Sequence, residues 1–417
     1  DSAWQFFYRV NNESFLFPSG RFSVFLSEIP LYIAVKLHLP FSILVYTFSL
    51  SYIIVYYLVW RLSTFILKNP AAGLAIILSA VLGIRESFLH PVTETHQCIV
   101  FSCLLWALLN YDFKREFLKI IWACALTIFI LFIHPISVFT IGFVILLFII
   151  GKKTFRNYLP WLLAGIILLI SLWRFLAPTD PYDATQFSLL KNSAPLYTLT
   201  ESGAFNFIKM HFTHFYWLPE LAFLIAATWL AFRKEWLKLS ALIASVAVYL
   251  IIAFITFSRG DSSIMIERVF LPVFFMINLA LADLLVREKR MNKWIPMVLV
   301  VFFLINGIRY INAGCLMYKK RVAYIDKLVQ EGIAQGNDKY VLTDAKTNNE
   351  RILVPWAFGT ETLIYSKFKY DKCISISMKG ETCTPGNCRL TNVLCLPVTE
   401  LNKNYFQLSD SAYVELK

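Results

Sequence analysis

Along the first three quarters of the chain, apolar residues run in long blocks broken by short polar stretches. About 20 mostly apolar residues let a helix cross the hydrocarbon core of a bilayer. Ten such blocks are read: 41–60, 70–84, 97–110, 118–133, 136–150, 159–176, 216–232, 237–257, 266–286 and 294–313. Several are short, so tilt or flanking aromatics must cover the mismatch. His134-Pro135 alone separates the fourth block from the fifth. Proline stops a helix and the residue before it avoids helical angles, so the pair predicts a tight hairpin. Segment 21–38 is apolar but interrupted by Glu28, Pro30 and Lys36. It reads as an amphipathic helix lying in the interface.

Beyond residue 319 the apolar runs shorten and polar residues return. Residues 320–335 have helical periodicity through Val322, Ile325, Leu328 and Val329, stopped by Gly336-Asn337. Lys339–Thr343 and Cys373–Met378 read as strands and Gly359–Ser366 as a short helix. The expected fold is therefore an all-α polytopic membrane protein with about ten transmembrane helices and a small C-terminal α/β domain. Residues 1–40 form a first outer loop, 41–318 the transmembrane domain and 319–417 the extracytoplasmic domain. The chain opens on Asp1 without a charged leader or apolar signal run, which reads as a helix standing upstream of it.

Composition agrees with a membrane chain: 58% hydrophobic against 16% charged, with a mean hydropathy of +0.61. An ordinary soluble domain carries about 25% charged residues. The net charge of +12 would point to nucleic acid in a soluble protein. Here its placement matters more, because basic loops orient membrane proteins toward the cytoplasm. One set of alternate loops carries fifteen Lys/Arg residues, among them Lys114, Arg115, Lys152 and Arg233, and the opposite set carries five. The first set is expected inside. The protein is then expected in the cytoplasmic membrane with both termini outside, with the bilayer and no nucleic acid as partner.

Four cysteines (Cys373, Cys383, Cys388 and Cys395) cluster in the C-terminal segment. An even number in a short extracytoplasmic stretch favours two disulfides over free thiols. A zinc site is the rival, but the spacings are irregular and no Cys-x-x-Cys pair occurs. There is no Walker A loop and no GxGxxG after a strand, which argues against an ATP-driven pump.

The outer loops hold the candidate chemistry. Residues 85–97 bring Arg85, Glu86, His90, Glu94 and His96 to a membrane edge. A carboxylate desolvated there tends toward the pKa range of a general base. Its bland alternative is a solvated interface loop. Arg259 and Arg268, in Ser258-Arg259-Gly260-Asp261 and Glu267-Arg268, can hold a phosphate through a guanidinium fork or simply form interface ion pairs. The loop 177–215 contains His211 and His214 and carries a diffuse signal.

An acidic residue at the edge of the first outer loop, an amphipathic helix in that loop, a second polar outer loop, paired short helices and a C-terminal outer domain resemble the GT-C integral-membrane glycosyltransferases. The stretch Glu267-Arg268-Val269-Phe270-Leu271-Pro272 resembles the Arg-aromatic-Leu-Pro opening of a late span in that family. The resemblance implies transfer of a sugar from a polyprenyl-phosphate carrier to a glycan, lipid or protein acceptor outside the membrane. It implies Asp1 as the acidic catalytic residue of the first loop and Glu94 or Glu86 as its partner. Arg85, His96, Arg259 and Arg268 are then the substrate-binding candidates. The chain lacks an Asp-x-Asp or Glu-x-Asp motif, which leaves dependence on a divalent metal ion open. A surface-polysaccharide polymerase or ligase is the alternative enzyme, with His96 or His211 essential. A transporter or flippase is the non-enzymatic one, though symmetric repeats and broken midplane helices are not evident.

Overall fold

The computed structural model describes residues 2–15, 21–85, 93–152, 155–177, 216–256, 263–287, 294–343, 346–348, 351–352, 355–378 and 398–416, with short pieces between 184 and 209. The helices are α1 Ser2–Asn12, α2 Phe25–Lys36, α3 Phe41–Arg61, α4 Pro70–Val81, α5 Glu94–Asn110, α6 Glu116–Leu131 and α7 Ser137–Lys152. They continue as α8 Tyr158–Leu176, α9 Trp217–Phe232, α10 Trp236–Thr256, α11 Ser263–Arg287, α12 Trp294–Gln335 and α13 Phe358–Tyr370. Among the described residues five helices are long and apolar enough to cross a membrane, so the chain is a helical membrane protein.

The chain divides into two compact units. The larger holds residues 17–24 and 54–314 and is a helical bundle. At its centre α11 packs on α4, α5, α7, α9 and α10. Of its most apolar stretch 94% is buried, against 22% for α8 and α10. Those two helices turn most of their apolar surface outward, as lipid-facing helices do, whereas α11 is held by close packing on all sides.

Local chemistry sets the helix ends. Pro70 opens α4, where its missing N–H costs nothing, and the Asn69 side chain accepts from the Ala72 N–H at 3.0 Å. Asn157 caps α8 the same way, accepting from the Leu159 N–H at 2.9 Å. The hairpin expected at His134-Pro135 joins α6 to α7, with the Ile136 N–H donating to His134 Nδ1 at 3.1 Å. After α4, Gly83 takes φ +80°, and a Cβ there would lie 2.1 Å from the Phe274 ring of α11. Only glycine fits that turn.

The smaller unit holds residues 1–16, 25–53 and 315–417. The C-terminal segment is thus compact together with the first two helices. Strands β1 Lys339–Leu342, β2 Ser375–Met378 and β3 Val414–Glu415 form a parallel sheet in the order β2-β1-β3, with Tyr340 opposite both Ile376 and Val414. Ile325, Leu328 and Val329 of α12 pack with Tyr340, Phe358 and Ile376 in its core. The last apolar block and the 320–335 helix prove to be one helix of 42 residues, α12. Its one proline, Pro296, stands in the first turn, where no intrahelical bond is lost, and the helix stops at Gly336 with φ +80°, a left-handed helix stop. The Asn402 side chain ties the C-terminal segment to α1, donating to the Val10 carbonyl and to Glu13 Oε1, both at 3.1 Å. The Lys36 ammonium hydrogen-bonds Glu13 at 3.1 Å and holds its carboxyl below the usual range.

Cys373 is a free thiol, buried and accepting from the Gln407 N–H at 3.3 Å, so the expected disulfides do not include it here. Cys383, Cys388 and Cys395 lie outside the described residues.

Candidate functional site

The polar groups of the bundle gather where α5 and α11 begin. Glu94 is the first residue of α5, where the free N–H groups of the helix terminus favour a carboxylate. Arg21 approaches it from the segment before α2, with Nη1 3.5 Å from Glu94 Oε1 and both side chains largely buried. On α11, Arg268 lies within electrostatic reach of Glu94, Glu267 and Tyr56, and its charge acts on His96, one half-turn along α5 from Glu94. The Nδ1 of His96 is buried without a hydrogen-bond partner. Glu94 and His96, from one loop of the sequence reading, and Arg268, from another, therefore meet at one end of the bundle.

Glu267 has a different task. It is 1% exposed, and its two oxygens accept from the Arg85 backbone N–H and the Tyr216 hydroxyl, each at 2.8 Å. The Tyr216 ring stacks on Phe274. Gly314 of α12 lies so close to the Arg85 carbonyl that a Cβ would stand 2.1 Å from it. One carboxylate thus joins the end of the α4 turn, the start of α9 and α11, and fixes the frame from which Arg268 projects. Arg85 enters this frame through its backbone.

Three further residues, which sequence reasoning did not single out as site candidates, belong to the same end. Arg21 is one. The others are Arg174 near the end of α8 and His134 in the α6–α7 hairpin; the charges of Arg21 and Arg174 both act on His134. A signal was present for Arg174: an Arg at the outer end of a span runs against the Lys/Arg bias of the loops.

Asp1, Glu86, Arg259, His211 and His214 lie outside the described residues. Among the described residues no group of three or more His, Cys, Asp or Glu side chains is arranged to hold a metal ion. What the arrangement can do follows from its charges. It has a carboxylate ion-paired with a guanidinium, further cations, and two imidazoles. Compared with protein-family models, curated proteins and solved structures, the chain shows no match to any.

Proposed function

We propose that the chain is an integral-membrane glycosyltransferase. It moves a sugar from a polyprenyl-phosphate carrier to an acceptor hydroxyl at the outer face of the cytoplasmic membrane. In this reading ten helices span the bilayer and the α/β segment stands outside. The observation that carries the proposal is the meeting of Arg21, Glu94, His96 and Arg268 at the start of α5. Lys114 and Arg115 follow the other end of that 17-residue helix, about 25 Å away. A basic connection at one end and a mixed site at the other fit a site facing outward.

The chemistry asks for two groups. The acceptor oxygen attacks the anomeric carbon as the bond from that carbon to the phosphate oxygen breaks. The bonding pair leaves with the polyprenyl phosphate, and the acceptor proton passes to a carboxylate. Glu94 is the base. It takes the proton as the attacking oxygen becomes acidic by bonding to carbon. Arg268 meets the charge growing on the leaving phosphate, in the manner of an oxyanion-stabilising donor. The donor carries its own activated bond, so no nucleotide enters.

Histidine-dependent polymerisation or ligation of lipid-linked glycans is the second reading, favoured by the buried Nδ1 of His96 beside Arg268. Purified protein in proteoliposomes, given a panel of polyprenyl-phospho-sugars, separates the two. Release of polyprenyl phosphate is expected with one donor, and Glu94→Gln is expected to slow it at least ~10²-fold. Loss of activity in His96→Ala with full activity in Glu94→Gln would move the assignment to the second reading. Consumption of none of the donors by the wild type rejects the glycosyltransferase.

A further inference from the structure

The start of α5 carries two polar side chains that the transfer step leaves idle. Thr93 stands just before the helix with an extended backbone, where a threonine hydroxyl ordinarily accepts from an N–H of the first turn. Here that cap bond is not made. The Thr93 carbonyl accepts from the Gln97 N–H at 3.3 Å and from the Tyr56 hydroxyl at 3.5 Å. Its Oγ1, in a residue 2% exposed, is buried without a hydrogen-bond partner among the described residues. His96 follows three residues later, on the same side of the helix. Its Nδ1 is likewise buried and unpartnered, while part of the ring stays accessible.

A buried polar atom left unpaired is costly, so two at neighbouring positions mark a place for a ligand group. The threonine hydroxyl can give or take a hydrogen bond, and Nδ1 does one or the other according to where the ring proton sits. A single ligand hydroxyl between them satisfies both in either case, because it gives to one and accepts from the other. A phosphate oxygen only accepts, and fits only if Nδ1 carries the proton. The surroundings say which hydroxyl. Glu94 lies between Thr93 and His96 in the chain, and the charge of Arg268 acts on His96. In the transfer reading Glu94 serves the acceptor at the anomeric carbon and Arg268 meets the phosphate attached to that carbon. The donor hydroxyl nearest to both is the one on C2, the next carbon of the ring.

We propose that Thr93 Oγ1 and His96 Nδ1 together bind the C2 hydroxyl of the donor sugar. The donor is then a sugar with a free hydroxyl at C2, and 2-deoxy and 2-acetamido sugars are poor substitutes. The placing of that sugar on a polyprenyl phosphate rests on the glycosyltransferase reading; binding itself needs no turnover.

The test is native mass spectrometry of the full chain in nanodiscs. The probes are bare polyprenyl phosphate, the same lipid carrying glucose, mannose, galactose or arabinose, and the matching 2-deoxy forms. One sugar is expected to bind about tenfold tighter than its 2-deoxy form, which leaves both buried groups unpaired. Thr93→Val keeps the shape and loses the hydroxyl. It is expected to erase most of that preference and to leave bare polyprenyl phosphate bound as before. It should also keep or raise the melting temperature of the ligand-free protein, since a buried unpaired hydroxyl is removed. Thr93→Ser should retain the preference, and His96→Phe should reduce it. Equal binding of every sugar and its 2-deoxy form by the wild type overturns the proposal. So does a preference that survives in Thr93→Val or is lost equally in Thr93→Ser. If the preference is found and Thr93→Val erases it, yet no donor is consumed, the transfer reading fails and the pocket stands. If a donor is consumed and its 2-deoxy form serves equally well, the pocket falls and the transfer reading stands.

Discussion

The two ends of the central helix α11 use the same residue types to opposite effect. At its last turn, Asp283 pairs with Arg287, Arg287 reaches Glu235 at 4.0 Å, and Glu235 takes Lys238 at 2.6 Å. Two acids and two bases close on one another and tie α11 to α10. At its other end, about 25–30 Å away, Glu267 is engaged by the Arg85 N–H and the Tyr216 hydroxyl. Glu94 then faces Arg21 and lies within electrostatic reach of Arg268, whose charge also acts on His96. Cations alone do not make a site; among the described residues, one end closes its charges on one another within neighbouring helices, and the other gathers ionisable groups from separate parts of the chain. This contrast, more than the number of arginines, carries the functional reading.

The sharpest way to break the contrast is to treat both ends alike. Arg268→Ala is expected to cut donor consumption by ~10²-fold or more, with Arg268→Lys intermediate because charge survives without the fork. Arg287→Ala should leave turnover within about twofold, the size of a surface ion-pair effect. Equal losses in a side-by-side rate assay would dissolve the distinction. Next in size is Glu267→Leu, which leaves the Arg85 N–H and the Tyr216 hydroxyl without their acceptor. At about 1–3 kcal/mol for each buried donor, it should lower the melting temperature by several degrees. An unchanged midpoint would mean that Glu267 is no strut.

A pH titration gives a smaller effect. His134 is held below its unfolded value of about 6.5. As pH falls below 6.5 the unfolded chain takes up a proton that the folded one refuses, so stability drops toward acid. His134→Gln should flatten that part of the melting-temperature profile, and an identical slope in the variant would exclude the buried neutral ring. Smallest of all is Arg287→Gln, at about 0–1 kcal/mol, because the Arg287 side chain is 44% exposed.

How much of this the sequence reveals depends on the range of the interaction. The hairpin was legible in His134-Pro135 and the end of α12 in Gly336-Asn337, since both rest on local backbone chemistry. The continuity of α12 was not. Falling hydropathy after 313 looks like the end of a span, but a helix ends only where its backbone is stopped, and nothing between Gly314 and Gln335 stops it. β3 was missed because two residues at the chain end carry no alternation. Glu94, His96 and Arg268 were visible as candidates from residue type and position at a span edge. Their meeting with Arg21, Arg174 and His134 was not, since it is made by the packing of α5, α6, α8 and α11 across some 250 positions of the sequence. Glu267 shows the same limit: its neighbour Arg268 suggested an ion pair, while its partners came from Arg85 and Tyr216.

The most direct measurement is the labelling of a single reporter at the mouth of the cation-rich end. Ala177→Cys sits one residue past α8, exposed and near Arg174. In intact cells with other accessible thiols blocked, a membrane-impermeant maleimide is expected to label it, and added polyprenyl phosphate is expected to slow that labelling. Asn157→Cys, at the other end of α8, should react only after permeabilisation. Labelling of Asn157→Cys but not Ala177→Cys in intact cells, or an Ala177→Cys rate indifferent to the lipid, would contradict an outward-facing site for an anionic lipid.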